Sequence, residues 1–239
     1  MRIKGNLMEK YQSFEEESIM VRRERARKIL SILKSSFPIP DISDLAKDPF
    51  KILVRTIISQ STSERNTQRA FENLSSKMPI TPKSLAEADV RCIEEALKVA
   101  GLYRNKSVVL KEMSRMIIEK FGGSLDFIYS LPLNEARDKL LSLPGVGPKT
   151  ADIVLLFCAE KPVLPVDTHV RRVSKRLGFV PKNEEKYDSI RARIEELYSP
   201  EEYFDVHMLL IALGRKFCKS LKPSCAQCIV NNLCPSRKL

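Results

Sequence analysis

The 239-residue chain has no apolar run long enough to cross a bilayer, and its opening MRIKGNLMEKYQSFEEESIM has no apolar stretch of signal-peptide length. These absences lead to the expectation of an intracellular protein, in cytoplasm or nucleoid, with no membrane partner. Strand signals are almost missing, which argues against β and α/β folds. Neither an internal repeat nor a low-complexity linker is visible. There are two histidines, His169 and His207, far apart in sequence, and neither is assigned to a metal. Glutamine is scarce, at Gln12, Gln60, Gln68 and Gln227, against 30% charged residues, a balance that thermophilic proteins favour. A reducing compartment also argues against three structural disulfides, so the six cysteines are read for metal.

What is present points elsewhere. Hydrophobic content of 43% suffices for a globular core, and the length allows one large core or two small ones. The formal charge of +11, spread in short basic clusters, favours a polyanionic partner. Nucleic acid leads, ahead of an acidic protein or a membrane surface.

Helical periodicity recurs from end to end, so the fold class is all-α, built of short helices. VRRERARKILSILKSSF puts Val21, Ala26, Ile29, Leu30 and Leu33 on one face and stops before Pro38. PFKILVRTIISQ follows Asp48 as cap, with Pro49 at the first helical position. Further helices are predicted over Thr67–Ser76, Leu85–Val99 and Lys106–Phe121, the last stopped by Gly122 and Gly123. Thr168–Leu177, Glu184–Tyr198 with a stripe of Ile190, Ile194, Leu197 and Tyr198, and a buried FDVHMLLIALG complete the series. EKPVLPV, residues 160–166, is the clearest irregular connection and marks a crossover between domains. The residues alone leave the first helix assignable to either side of it.

LSLPGVGPKTADIVLL looks like a phosphate loop, yet it fails as a nucleotide site. Ser142 stands where the first glycine belongs, and Pro148 separates Gly147 from Lys149. The preceding LNEARDKLLSL, with Ala136, Leu140, Leu141 and Leu143 at helical spacing, is a helix where a strand is required. The stretch is therefore helix, glycine hairpin, helix. Gly145 and Gly147 allow positive φ, so that Pro144–Gly147 converges backbone N–H groups on an anion, and a DNA phosphate fits. A plain helix–helix turn is the competing reading.

Lys149 lies in the first turn of the second helix, where the dipole disfavours a cation. As a nucleophile it must lose its proton, and lowering a pKa of about 10.4 by about three units costs about 4 kcal/mol. The dipole supplies at most about 2 kcal/mol, so desolvation or a neighbouring base must supply the rest. A phosphate-binding lysine that stays charged is the alternative. Eighteen residues on, Asp167 in VDTHV caps a helix, a role compatible with stabilising a cation or accepting a proton. Arg171, Arg172, Lys175 and Arg176 on that helix fit either a DNA backbone or a solvated face.

Cys218, Cys225, Cys228 and Cys234 form C-x6-C-x2-C-x5-C among basic residues that offset thiolate charge. The unequal gaps do not match a zinc ribbon, so an iron–sulfur cluster is preferred, with zinc as the rival. Cys92 and Cys158 stand alone in apolar helical sequence and read as core.

LPGVGPKTA, VDTHV and the cysteine array, in this order and spacing, resemble the endonuclease III branch of the helix-hairpin-helix DNA glycosylases, over about Asp41 to Cys234. The resemblance implies a six-helix barrel carrying the hairpin at residues 41–161. It also implies a [4Fe-4S] cluster domain built from both chain ends, residues 1–40 and 162–239, with a DNA-binding groove between the two. It implies Lys149 as amine nucleophile and Asp167 as catalytic carboxylate. Gln60 in IISQSTSERN would fill the gap left by a flipped nucleotide, and Leu102 in GLYRNKS would be the intercalating wedge. Pro144, Gly145, Val146 and Gly147 would bind the DNA backbone. The implied activity is a DNA glycosylase and abasic-site lyase of base excision repair, a monomer acting on oxidised pyrimidines in double-stranded DNA. Mismatch or oxidised-purine specificity on the same scaffold, and a noncatalytic DNA-binding iron–sulfur protein, are the alternatives. Ser63 and Arg104 depart from the family pattern, which expects an acidic and a small polar residue there.

Overall fold

The computed structural model describes residues 17–237, and these contain helices and turns with no strand. The described residues divide into two compact units: Ile42–Lys161 forms one, while residues 17–41 and 162–237 form the other. The division falls inside EKPVLPV.

The continuous unit holds α1 (Ser43–Ala46), α2 (Pro49–Ser59), α3 (Glu64–Lys77), α4 (Pro82–Glu87), α5 (Val90–Leu97), α6 (Tyr103–Phe121), α7 (Phe127–Ser130), α8 (Leu133–Leu141) and α9 (Pro148–Ala159). Short polar side chains start several of these helices. Asp48, Ser63, Thr81 and Asp89 each accept a first-turn N–H. The single helix predicted over Leu85–Val99 is in fact two, because Ala88 and Asp89 turn extended and the Asp89 carboxylate caps Arg91 N at 2.9 Å. Its apolar face survives the break, with Leu85, Ala86, Ile93, Ala96 and Leu97 buried. Helix α6 is the long central element, packed by α2, α4 and α5, and Gly122 and Gly123 end it in left-handed conformations.

Helix α9 is buried from Thr150 through Leu156. The fully buried Asp152 carboxylate within it meets Arg137 Nε of α8 at 2.6 Å, tying together the two helices of the hairpin. An ion pair this deep keeps its register because a lone buried charge is far costlier than the pair.

The other unit holds α10 (Thr168–Arg176), α11 (Tyr187–Glu195) and α12 (Tyr203–Lys216), together with the earlier helix Ile19–Ser36, called αN here. Helix α12 packs against both α10 and αN. Ala26, Ile29, Leu30 and Leu33 of αN are buried, whereas Val21, expected on the same stripe, is 53% exposed. At 3.6 residues per turn Val21 falls well outside the arc of the other four. The predicted Glu184–Tyr198 helix is trimmed to α11, yet its stripe of Ile190, Ile194, Leu197 and Tyr198 is buried. Cys92 and Cys158, expected in the core, are only partly buried. Burial still pushes the Cys158 thiol up to about 12.

Candidate functional site

The hairpin between α8 and α9 rests on two glycines with different duties. Gly145 takes φ +74°, and a Cβ there would lie 2.3 Å from Cγ1 of Val109 on α6. Both conformation and close approach demand glycine. Gly147 instead is extended, φ −94° and ψ 177°, and caps α9, so the positive φ expected of it is not found. A Cβ on Gly147 would meet nothing within 4 Å, so the fold does not require glycine there. Pro148 follows at the first helical position and Lys149 is half-buried in the first turn. The first turn of an α-helix carries the positive end of its dipole, and Lys149 lies in it. Pro144 is half-buried, while Val146 is only 7% exposed, and its backbone N–H donates to Leu143 O at 3.2 Å, closing the turn.

Gln60 is brought to the hairpin: its Nε2 donates to Gly145 O at 3.3 Å. It is exposed at the C-terminal end of α2, followed by Ser61 at φ 54°. Leu102 projects at 61% exposure and is also left-handed, φ 49° and ψ 24°, just after Gly101 at φ 66°. Left-handed backbone in a non-glycine residue costs about 1–3 kcal/mol and persists only where its surroundings hold it. Ser63, one of the two departures, serves as the α3 cap, accepting Asn66 N at 3.2 Å. The guanidinium of Arg104, the other, lies over the Tyr103 ring at 5.8 Å.

Lys106 was not singled out in the sequence. It is 4% exposed, and its ammonium donates to Ile58 O at 2.8 Å and Ala100 O at 3.1 Å. Burial lowers its pKa from the ordinary lysine value. The sequence carried a signal for it: Lys106 sits at helical spacing with Leu110, Met113 and Ile117, a charge on an apolar stripe.

In the other unit Asp167 caps α10. One carboxylate oxygen accepts Val170 N at 2.7 Å and the other lies 3.2 Å from His169 Nδ1. The extended segment before it is held by three side chains that sequence reasoning missed. Glu195 accepts Leu164 N at 2.8 Å, buried His207 contacts Pro165 O through Nδ1 at 2.9 Å, and the Tyr187 hydroxyl accepts Val166 N at 3.2 Å. Each carries one residue of the approach, so Asp167 stands on an anchored backbone.

The basic face of α10 is engaged inside the protein. Arg171 and Lys175 pair with Glu185. Arg172 Nε donates to Cys218 O at 2.9 Å and its Nη2 to Gly214 O at 3.1 Å. Arg176 donates to Lys219 O at 2.7 Å and Ser220 O at 2.8 Å. The helix that Asp167 starts thus grips the loop after Cys218.

Cys218, Cys225, Cys228 and Cys234 together line a cavity of about 390 Å³, with Arg172, Arg176 and Lys175 on its wall. Among the described residues no three His, Cys, Asp or Glu side chains converge closely enough to hold a single metal ion. Burial raises the Cys228 and Cys234 thiols above the usual range, and the neighbouring cysteines push the same way. Leu221 and Ile229 flank this region at 94% and 37% exposure.

Residues 54–200 match the model of the HhH-GPD superfamily base excision DNA repair proteins. The chain is 37% identical over 190 residues to an endonuclease III of Thermotoga maritima, covering 78% of this chain and 83% of that one. It is 36% identical over 189 residues to an endonuclease III of Sulfolobus acidocaldarius, covering 79% and 82%. Among solved structures, a trapped endonuclease III–DNA covalent intermediate, an estranged-adenine complex, superposes with a TM-score of 0.76 at 29% identity. It covers 90% of this chain and 96% of that one.

Proposed function

The chain belongs to the HhH-GPD superfamily of base excision DNA repair proteins, and within it we propose a DNA glycosylase with abasic-site lyase activity that uses Lys149 as nucleophile and Asp167 as catalytic carboxylate. The observation that supports this most is the setting of Lys149: a half-buried lysine in the first turn of a buried helix, directly after the glycine hairpin. A cation placed there works against the helix dipole, which favours the neutral amine that chemistry needs.

The target nucleotide leaves the stack, because its sugar carbon is otherwise out of reach. The Lys149 amine attacks C1′, the glycosidic bond breaks, and the base departs. The Asp167 carboxylate stabilises the cationic character that develops at the sugar. Loss of a proton from the attacking nitrogen and opening of the sugar leave an imine between Lys149 and C1′. The imine acidifies the C2′ proton, and its removal expels the 3′ phosphate by β-elimination. Oxidised pyrimidines are the proposed lesion class, and the protein acts as a monomer. A panel of duplexes bearing oxidised pyrimidines, oxidised purines or mismatches tests this directly. Release confined to the oxidised pyrimidines is expected, and strand cleavage confined to another class would overturn the assignment of substrate.

Gly147 provides a sharper test of the hairpin. Since the fold leaves room for a Cβ, Gly147→Ala is expected to melt within a few degrees of the parent. It should nonetheless weaken duplex binding by about tenfold, because the methyl stands where a phosphate approaches the first-turn N–H groups. Gly145→Ala, by contrast, collides with Val109 and is expected to lower the melting temperature outright. Equal affinity of the Gly147→Ala protein and the parent for duplex DNA would remove the hairpin from the interface.

The four cysteines suit an iron–sulfur cluster. Their unequal C-x6-C-x2-C-x5-C spacing departs from the paired C-x2-C arms of a zinc ribbon, and the likeness to endonuclease III supports the same choice. When bound, a [4Fe-4S] cluster supplies positive charge that holds the thiolates ionised and cross-links the segment from Cys218 to Cys234. Arg172 and Arg176 hold the start of that segment through the carbonyls of Cys218 and Lys219. Cys228→Ser is expected to lose iron and the visible thiolate-to-iron absorption and to melt lower. A colourless parent holding one zinc per chain would reverse the choice of metal.

A further inference from the structure

Gln60 and Leu102 lie on separate loops that share one anchor. Ile58 O belongs to the last turn of α2, two residues before Gln60, and Ala100 O closes the 3-10 turn two residues before Leu102. The buried ammonium of Lys106 donates to both, at 2.8 and 3.1 Å. The backbone N–H of the same residue donates to Leu102 O at 3.0 Å. Beyond each anchored carbonyl the chain enters a left-handed non-glycine residue, Ser61 on one loop and Leu102 on the other.

Such conformations persist only where the neighbouring structure over-determines them, and Lys106 is the group common to both. Its charge suits the task, since carbonyls at the ends of two helical turns carry the negative pole of each. Helix α6 supplies the rigidity: Lys106 stands one turn from fully buried Leu110, in a row continued by Met113 and Ile117.

We propose that Lys106 is a positioning residue that couples the Gln60 loop to the Leu102 loop, so that gap-filling and wedging occur as one rigid action on the duplex. This rests on the DNA reading of Gln60 and Leu102 given above. The lysine touches no substrate; it sets the spacing between the two side chains that do. A surface lysine binding phosphate would do neither, and a merely structural lysine would stabilise the unit without favouring these loops.

Two measurements on Lys106→Met and the milder Lys106→Gln separate these cases. The first is amide hydrogen exchange in the free protein, which does not depend on activity. The segments around Gln60–Thr62 and Gly101–Leu102 are expected to exchange faster together, while the α9 amides keep their protection. Acceleration of one segment alone, or uniform acceleration of the whole unit, overturns the coupling.

The second compares cleavage at an abasic site in duplex and in single-stranded DNA. Gln60 and Leu102 have a stack to enter only in the duplex. The duplex rate is therefore expected to fall about tenfold, the scale of one lost charge-assisted hydrogen bond, with the single-strand rate nearly unchanged. A Leu102→Ala change should then add little to Lys106→Met. Equal losses on both substrates, or full additivity with Leu102→Ala, overturn the proposal. Failure of the parent to cleave either substrate would refute the enzymatic reading instead, while hydrogen exchange would still decide whether Lys106 couples the loops.

Discussion

Lys149→Ala is expected to abolish the covalent protein–DNA adduct that borohydride traps, lowering its yield by about three orders of magnitude or more. The adduct exists only if an amine of the protein has condensed with the sugar, and alanine removes the amine with little disturbance of the helix. Alanine is a strong helix former, and a cation in the first turn of a helix is an electrostatic liability, so the melting temperature should stay within a few degrees of the parent. Lys149→Arg separates nucleophile from counter-charge. Arginine keeps the positive charge and its attraction for phosphate but remains protonated, so binding should persist while trapping is lost. An undiminished adduct in either variant would show that another amine reacts.

Asp167→Asn is expected to slow base removal by about 10²–10³-fold, the scale of one preorganised electrostatic group, while leaving the fold almost untouched. The reason lies in the double duty of the carboxylate. One oxygen caps α10 through Val170 N at 2.7 Å, and asparagine caps as well as aspartate. What asparagine cannot supply is negative charge beside a developing cation. Asp167→Ala loses both functions and should cost about 1 kcal/mol of stability in addition. Single-turnover base release alongside thermal melting distinguishes them. Full activity in Asp167→Asn would reduce Asp167 to a helix cap.

The all-α class was legible because amphipathic periodicity is local, and the caps and stops that bound the longer helices are encoded within a few residues of them. Asp48 with Pro49, and Gly122 with Gly123, do what their chemistry dictates. Legibility ended where a local signal had two outcomes. Asp89 could lie within a helix or start one, and only the surrounding packing selects the break. Helices as short as Ser43–Ala46 and Phe127–Ser130 are too brief to show a period.

Among the candidate site residues, the hairpin and its lysine stood out because glycine, proline and lysine each have a narrow reason to occur there. The supports did not. Arg172 reaches Cys218 O across 46 residues, and Lys106 reaches Ile58 O across 48. Side chains that bond to a distant carbonyl impose no pattern on the sequence near it, since any residue supplies that carbonyl. The basic helix illustrates the cost: its four cations fitted a DNA-tracking face equally well, and the structure spends them on Glu185 and the cysteine loop.

The division of the chain also has a consequence during synthesis. The unit Ile42–Lys161 is continuous and can close as soon as it leaves the ribosome, whereas the other unit takes its first helix from before that stretch and the rest from after it. At about 5–20 residues per second, the buried face of αN waits roughly 9–36 s for its partners on α12 to be made. During that interval Ala26, Ile29, Leu30 and Leu33 have no core to enter. The charged residues that surround them, Arg22, Arg23, Glu24, Arg25, Arg27 and Lys28, are what keep a nascent chain with so apolar a stripe in solution until its second half arrives.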